Sequence, residues 1–172
     1  MIPLKIGDLE IPSRASMDLD MHYEQIGGET ILRTLSGAGI KQMTWKKLRI
    51  SIQGSGWSAP GLQGIDTTLQ HDVACIIPRA VTADASRQAT LPEARRSDTN
   101  AEPWAVAILQ NGGAVNTGMT LVGNLATADA VPGAVLYQVL YFPLVTCWVN
   151  RPTESGVRGD ATYSWELICE EV

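Results

Sequence analysis

The sequence predicts an all-β chain, a single-domain β-sandwich or split β-barrel with one long polar loop or arm. Three observations carry this expectation. Apolar and polar residues alternate with period two in several short runs, which is the pattern of half-buried strands. Sixteen glycines and nine prolines punctuate the runs at turn-like spacing. No segment keeps a helical spacing of apolar residues over three turns; only Ala85 to Arg96 could hold a short helix, and Pro92 cuts it.

Met17, Leu19, Met21 and Tyr23 alternate with Asp18, Asp20, His22 and Glu24, and Gly27-Gly28 is expected to end that strand. Ile31 to Leu35 reads as a second short run, closed by Ser36-Gly37-Ala38-Gly39. Ile40 to Gln53 follows, with Leu48, Ile50 and Ile52 on one face, and Gly54-Ser55-Gly56 stops it. Pro60-Gly61-Leu62 predicts a turn or a single helical turn. Leu69 to Ile77 is the next strand candidate, ended by Pro78. Trp104 to Leu109 leads into the tight-turn signal Asn111-Gly112-Gly113, with Met119 to Val122 expected as the returning strand. Val135 to Val149 is one bent strand or two, divided at Pro143. Tyr163, Trp165, Leu167 and Cys169 alternate with polar neighbours in a last strand. The sum is roughly eight to ten strands in residues 1–172, one compact domain.

Val81 to Pro103 has a different character. It holds Arg87, Glu93, Arg95, Arg96, Asp98 and Glu102 with few large apolar groups, and is expected as a long loop or arm.

Composition narrows the function. With 45% apolar and 18% charged residues the chain is ordinary globular material. A net charge of −5 disfavours a dedicated nucleic-acid binder, yet suits a channel through which DNA slides without sticking. No apolar run reaches the ~18 residues of a membrane span, and no signal peptide is expected. Cys75, Cys147 and Cys169 are widely spaced and odd in number, so three buried thiols are expected rather than a disulfide framework.

Catalytic patterns are weak. His22 and His71 each have an aspartate nearby, Asp20 and Asp72, but two isolated histidines make no ligand cluster. Cys75 lies four residues from His71, too far along a strand for a nucleophile and its base. Asp18, Asp20 and Glu24 fall on the solvent face of a strand, and Asp66 alone completes no acid–base pair. Gly54-Ser55-Gly56-Trp57-Ser58-Ala59 matches a dinucleotide glycine pattern, but no strand–helix context surrounds it; a glycine-lined bend with Trp57 folded onto the core accounts for it better. Arg158-Gly159-Asp160 reads as a hairpin turn. No catalytic, metal-binding or cofactor-binding residue is therefore expected. Five tryptophans against one phenylalanine suggest core and interface anchors, or an aromatic platform for sugars.

Two blocks carry a family resemblance. Gly37-Ala38-Gly39-Ile40-Lys41-Gln42-Met43-Thr44-Trp45-Lys46-Lys47, followed by Ser51 to Gly56 and by Trp57-Ser58-Ala59-Pro60-Gly61-Leu62-Gln63-Gly64-Ile65-Asp66, resembles small tail structural proteins of siphophages and Mu-like phages. Tyr141-Phe142-Pro143-Leu144-Val145-Thr146, with Ser164-Trp165-Glu166-Leu167 and Glu170-Glu171-Val172, is similar to the end of the same proteins. The resemblance implies a distal tail or baseplate subunit that forms a hexameric ring around the DNA channel, contacts tube and hub proteins, and resides in the virion after synthesis in the bacterial cytoplasm. The chain is too short for the extra carbohydrate-binding domain of some distal tail proteins, and a tail-tube or tail-completion (neck) subunit fits the same blocks. On this reading Arg87, Arg95, Arg96 and Trp104 are expected at subunit contacts, and Trp45, Trp57, Pro60, Gly61 and Leu62 form a rigid corner. The alternative of another class is a glycan-binding module for attachment to the host surface.

Overall fold

The computed structural model describes residues 2–172. The chain is all-β, as its alternation predicts. Its strands are β1 (Lys5–Ile6), β2 (Leu9–Glu10), β3 (Asp18–Arg33), β4 (Gly39–Gly56), β5 (Gln70–Ala74), β6 (Arg79–Thr82), β7 (Gln88–Thr90), β8 (Trp104–Leu109), β9 (Ala114–Thr117), β10 (Met119–Val122), β11 (Leu125–Ala128), β12 (Ala134–Tyr141), β13 (Leu144–Val149), β14 (Thr153–Val157) and β15 (Thr162–Glu171). The one helical element among the described residues is a 3₁₀ turn, Leu62–Gly64. The contacts group into two compact units, one of residues 6–72 with 146–172 and one of residues 1–5 with 73–145.

The first unit carries a sheet of order β2-β1-β5-β13-β15-β4-β3, with β14 also paired to β15. Strand β4 is its long member. Its even-numbered residues Leu48, Ile50 and Ile52 are buried, and the matching positions of β15, Trp165, Leu167 and Cys169, are buried beside them. Period-two patterning thus selected the core face correctly. The second unit contains two small antiparallel sheets, β10-β11-β7 and β6-β12-β8-β9. They share a core of Ala83, Ala89, Leu91, Ala105, Ala126, Ala128, Val139 and Tyr141. Alanine dominates this core, so the layers meet closely with few large side chains.

Three local expectations need correction. Gly27-Gly28 does not end a strand; β3 runs through it and pairs with β4 from Asp18↔Ser55 to Arg33↔Gly39. The register shifts between Gly28 and Glu29, and a Cβ on Gly27 or Gly28 would stand 2.6 Å from the Trp45 carbonyl oxygen or 2.5 Å from Thr44 Oγ1. The glycines serve the close approach at this bulge rather than a turn. The strand after Asn111-Gly112-Gly113 is Ala114–Thr117, paired to β8, whereas Met119–Val122 pairs with β11. Of the two readings open for residues 135–149 the structure takes the second, with Pro143 dividing the run into two strands.

The third concerns residues 81–103. This stretch is not a free arm: it supplies β7 and buries Ala83, Ala89, Leu91, Arg96 and Ala101. Small apolar residues suffice where sheets approach closely, so the shortage of large ones did not signal exposure. Asp84 organises the entry to β7 by accepting hydrogen bonds from the backbone N–H groups of Ser86 and Gln88.

Candidate assembly surfaces

Beyond the core-covering half of β3 and β4, the two strands continue as a ribbon. Residues 29–46 are all exposed. The ribbon carries Ile31 (63% exposed), Leu32, Leu35 at the tip, Ile40, Met43 and Trp45. Alternation along β3 and the pairings Gly27↔Lys46, Glu29↔Met43, Ile31↔Lys41 and Arg33↔Gly39 place Glu29, Ile31, Arg33, Lys41, Met43 and Lys46 on one face. Gly28↔Trp45 and Leu32↔Ile40 define the other. A Lys41–Glu29 ion pair and an Arg33 hydrogen bond to the Gly37 carbonyl hold the ribbon together. Both are exposed and each contributes little. Strand β3 is also the last strand of its sheet, so among the described residues no strand pairs with its outer edge.

At the other end of the same strands lies a polar sheet face. The register aligns Asp18, Ser55, Ser164 and Ser155 in one row, and Asp20, Gln53, Glu166 and Thr153 in the next. With Glu154 these residues border an open groove of about 430 Å³. Gln53 reaches Glu166 at 3.5 Å, and the Ser155 and Ser164 hydroxyls meet at 2.7 Å. Among the described residues, Asp18, Asp20, Glu154 and Glu166 have no cationic partner. Further along the face Arg49 lies between Glu24 (3.3 Å) and Glu170 (2.9 Å) and holds its proton more firmly for it, chiefly through the Glu170 hydrogen bond. The two carboxylates beside Arg49 are thereby balanced, while the four at the groove are not.

A second, wider concavity lies around Gly7, Asp66, His71 and Asp72. His71 Nε2 is 2.8 Å from the Asp66 carbonyl, and hydrogen bonds from the Thr68 hydroxyl and backbone N–H hold the Asp66 carboxyl below its usual range. Asp72 accepts a hydrogen bond from the Thr146 hydroxyl at 2.6 Å. Among the described residues no group of three or more His, Cys, Asp or Glu side chains is placed to hold a metal ion. Cys75, Cys147 and Cys169 are buried.

The residues singled out from sequence fall in several places. Arg96 is 2% exposed and unavailable to a neighbour, which corrects its expected role at a subunit contact. Its guanidinium donates to the carbonyls of Pro3, Ala74 and Cys75 and forms a two-pronged pair with Asp98. Arg95 is likewise occupied internally, by Pro92, Gly123 and Asn124. Arg87 has a left-handed backbone (φ 62°) at the turn before β7, and its carbonyl accepts from Ala128. Trp104 is half-buried, its ring 5.3 Å from that of Phe142.

The five residues of the expected corner do not gather in one place. Pro60 and Leu62 are buried, and Gly61 (φ 82°) opens the 3₁₀ turn. Trp57 is 67% exposed instead of folded onto the core, because even-numbered residues of β4 point inward and 57 continues the outward set. Trp45 sits far along the ribbon, over Gly28. The ribbon escaped sequence reading because the glycine pair looked like a break; Leu35, Ile40 and Trp45 clustered around a Ser-Gly-Ala-Gly turn were the available signal.

Comparison with family models, with curated proteins and with solved structures finds no match. Among the described residues no helix is long and apolar enough to cross a membrane.

Proposed function

We propose that the protein is a structural subunit that acts by self-assembly, in keeping with the resemblance of its sequence to phage tail proteins of the distal tail or baseplate type. The observation that supports this reading is the β3–β4 ribbon. A two-stranded hairpin is marginally stable alone in water, and this one exposes Ile31, Leu32, Leu35, Ile40, Met43 and Trp45. Such a cluster gains free energy only when a partner removes it from water. Closed rings use heterologous contacts between two different surfaces of one chain, and an arm reaching from one subunit to the next suits that symmetry. In this reading the ring surrounds a DNA channel in the virion, and the chain's net charge of −5 keeps DNA from adhering to it.

The mass of the purified protein by light scattering, with negative-stain imaging of any large species, tests this. A closed ring, six-fold in the distal tail reading, is the expected result; a monomer at every concentration overturns self-assembly by the chain alone. Replacing Leu32, Leu35 and Ile40 together with serine is expected to shift the assembly midpoint at least tenfold in concentration. The melting of the isolated subunit should change by less than about 0.5 kcal/mol, since the three side chains touch no core. Equal loss of stability and assembly would mean that the ribbon is part of the fold's own support.

A further inference from the structure

We infer that the arm, residues 29–46, docks on the acidic groove of another copy of this chain, the face built by Asp18, Asp20, Glu154 and Glu166. The inference rests on the self-assembly reading and names the surface the arm meets.

Charge is the first argument. Residues 29–46 carry Arg33, Lys41 and Lys46 against Glu29 alone, a net charge of +2, with Lys41 paired to Glu29. The whole chain carries −5, so the remainder carries −7. A basic arm on an acidic body is self-complementary between copies, and such complementarity steers encounter and fixes register. The second argument is the residual imbalance. Arg49 neutralises Glu24 and Glu170, but the groove carboxylates have no cation among the described residues. The third is form. Arg33 and Lys46 share one face of the arm with Ile31, Met43 and the Lys41–Glu29 ion pair, which leaves Arg33 and Lys46 as its unbalanced cations. The groove crosses four strands, β3, β4, β15 and β14, and at roughly 4.8 Å per strand this is wide enough to seat a two-stranded ribbon. Arm and groove are different surfaces of the same strands, so each copy offers one of each, and the contact is heterologous.

Two variants test this, with circular dichroism and melting used to confirm that each is folded. Arg33→Glu with Lys46→Glu reverses the arm; Asp18→Lys with Asp20→Lys and Glu166→Lys leaves Glu154 as the one carboxylate of the groove and reverses its sign. Each alone sets like charges against each other and is expected to lose assembly by at least tenfold in midpoint concentration at low salt. Mixed one to one, they are expected to assemble again, because every arm then finds a groove of opposite sign. Should a reversed groove misfold, Asp20→Asn with Glu166→Gln weakens the same contact more mildly and is read in the same way.

Wild-type assembly that is indifferent to both reversals, or a mixture of folded variants that stays dissociated, overturns the docking site and leaves self-assembly standing. A wild-type chain that stays monomeric overturns both. Monomeric wild type that binds vesicles containing anionic lipid, and loses that binding on reversal of the arm, would assign the arm to a lipid surface instead.

Discussion

Trp165→Ala is expected to cost about 4 kcal/mol, the usual penalty for emptying a large buried aromatic site. Trp165 is 3% exposed and lies at the centre of β15, paired with Gly54 on β4. Its indole N–H donates to the Ala15 carbonyl at 2.7 Å, and Ala15 is itself fully buried. The ring lies directly over Gly54: a Cβ there would stand 2.4 Å from two indole carbons. Gly54→Ala should therefore cost about 2 kcal/mol through overpacking. Adding Gly54→Ala to Trp165→Ala should cost almost nothing more, since the added methyl then points into vacated space. Chemical denaturation of the four proteins checks this, and additive penalties would refute the contact. Trp165→Phe retains the ring face but orphans the Ala15 carbonyl, for an intermediate loss of about 1–2 kcal/mol.

Arg96→Ala comes second in expected effect, at about 3 kcal/mol, or a melting point lower by roughly 6–12 °C. The loss arises from three carbonyls, of Pro3, Ala74 and Cys75, that would be left without their donor. The released Asp98 adds less, because its side chain is 48% exposed and water can solvate it. Arg96→Lys should recover only part, since one ammonium cannot reproduce the fork that meets both Asp98 oxygens. The hydrogen bond from Arg96 holds the Asp98 carboxyl below its ordinary 3.8. A carboxyl depressed on folding stabilises the native state above its unfolded pKa, and that contribution fades as pH falls through the lower, folded value. The acid limb of the stability curve of Arg96→Ala should accordingly be shallower below about pH 4 than that of the wild type. Identical acid limbs would show that the pair does not respond to protonation.

These two sites show unequal legibility. Trp165 was readable: it alternates with Ser164 and Glu166 in a run with no competing pattern, and it is buried as alternation requires. Arg96 was not. Arginine is almost never fully buried unless paired, so Arg95-Arg96 in a polar stretch read as two exposed cations. What encloses Arg96 is a set of carbonyls from residues 3, 74 and 75, far from it along the chain.

Local pattern was enough for the all-β class, for the inward faces of β4 and of β15 and for the turn at Asn111-Gly112-Gly113. All of these depend on period-two alternation or on the local conformational limits of Gly and Pro, which act within a few residues. Long-range packing set the rest: Gly27-Gly28 lies inside a strand, Arg96 is internal, Trp57 faces water and an acidic groove spans four strands. Each of these depends on which distant backbone comes close. A glycine reads alike in a turn and under a crowded neighbour, and an exposed apolar strand reads alike with a buried one. Pairing across Trp45 and Gly28 distinguishes the first, and the absence of a covering layer over residues 29–46 distinguishes the second.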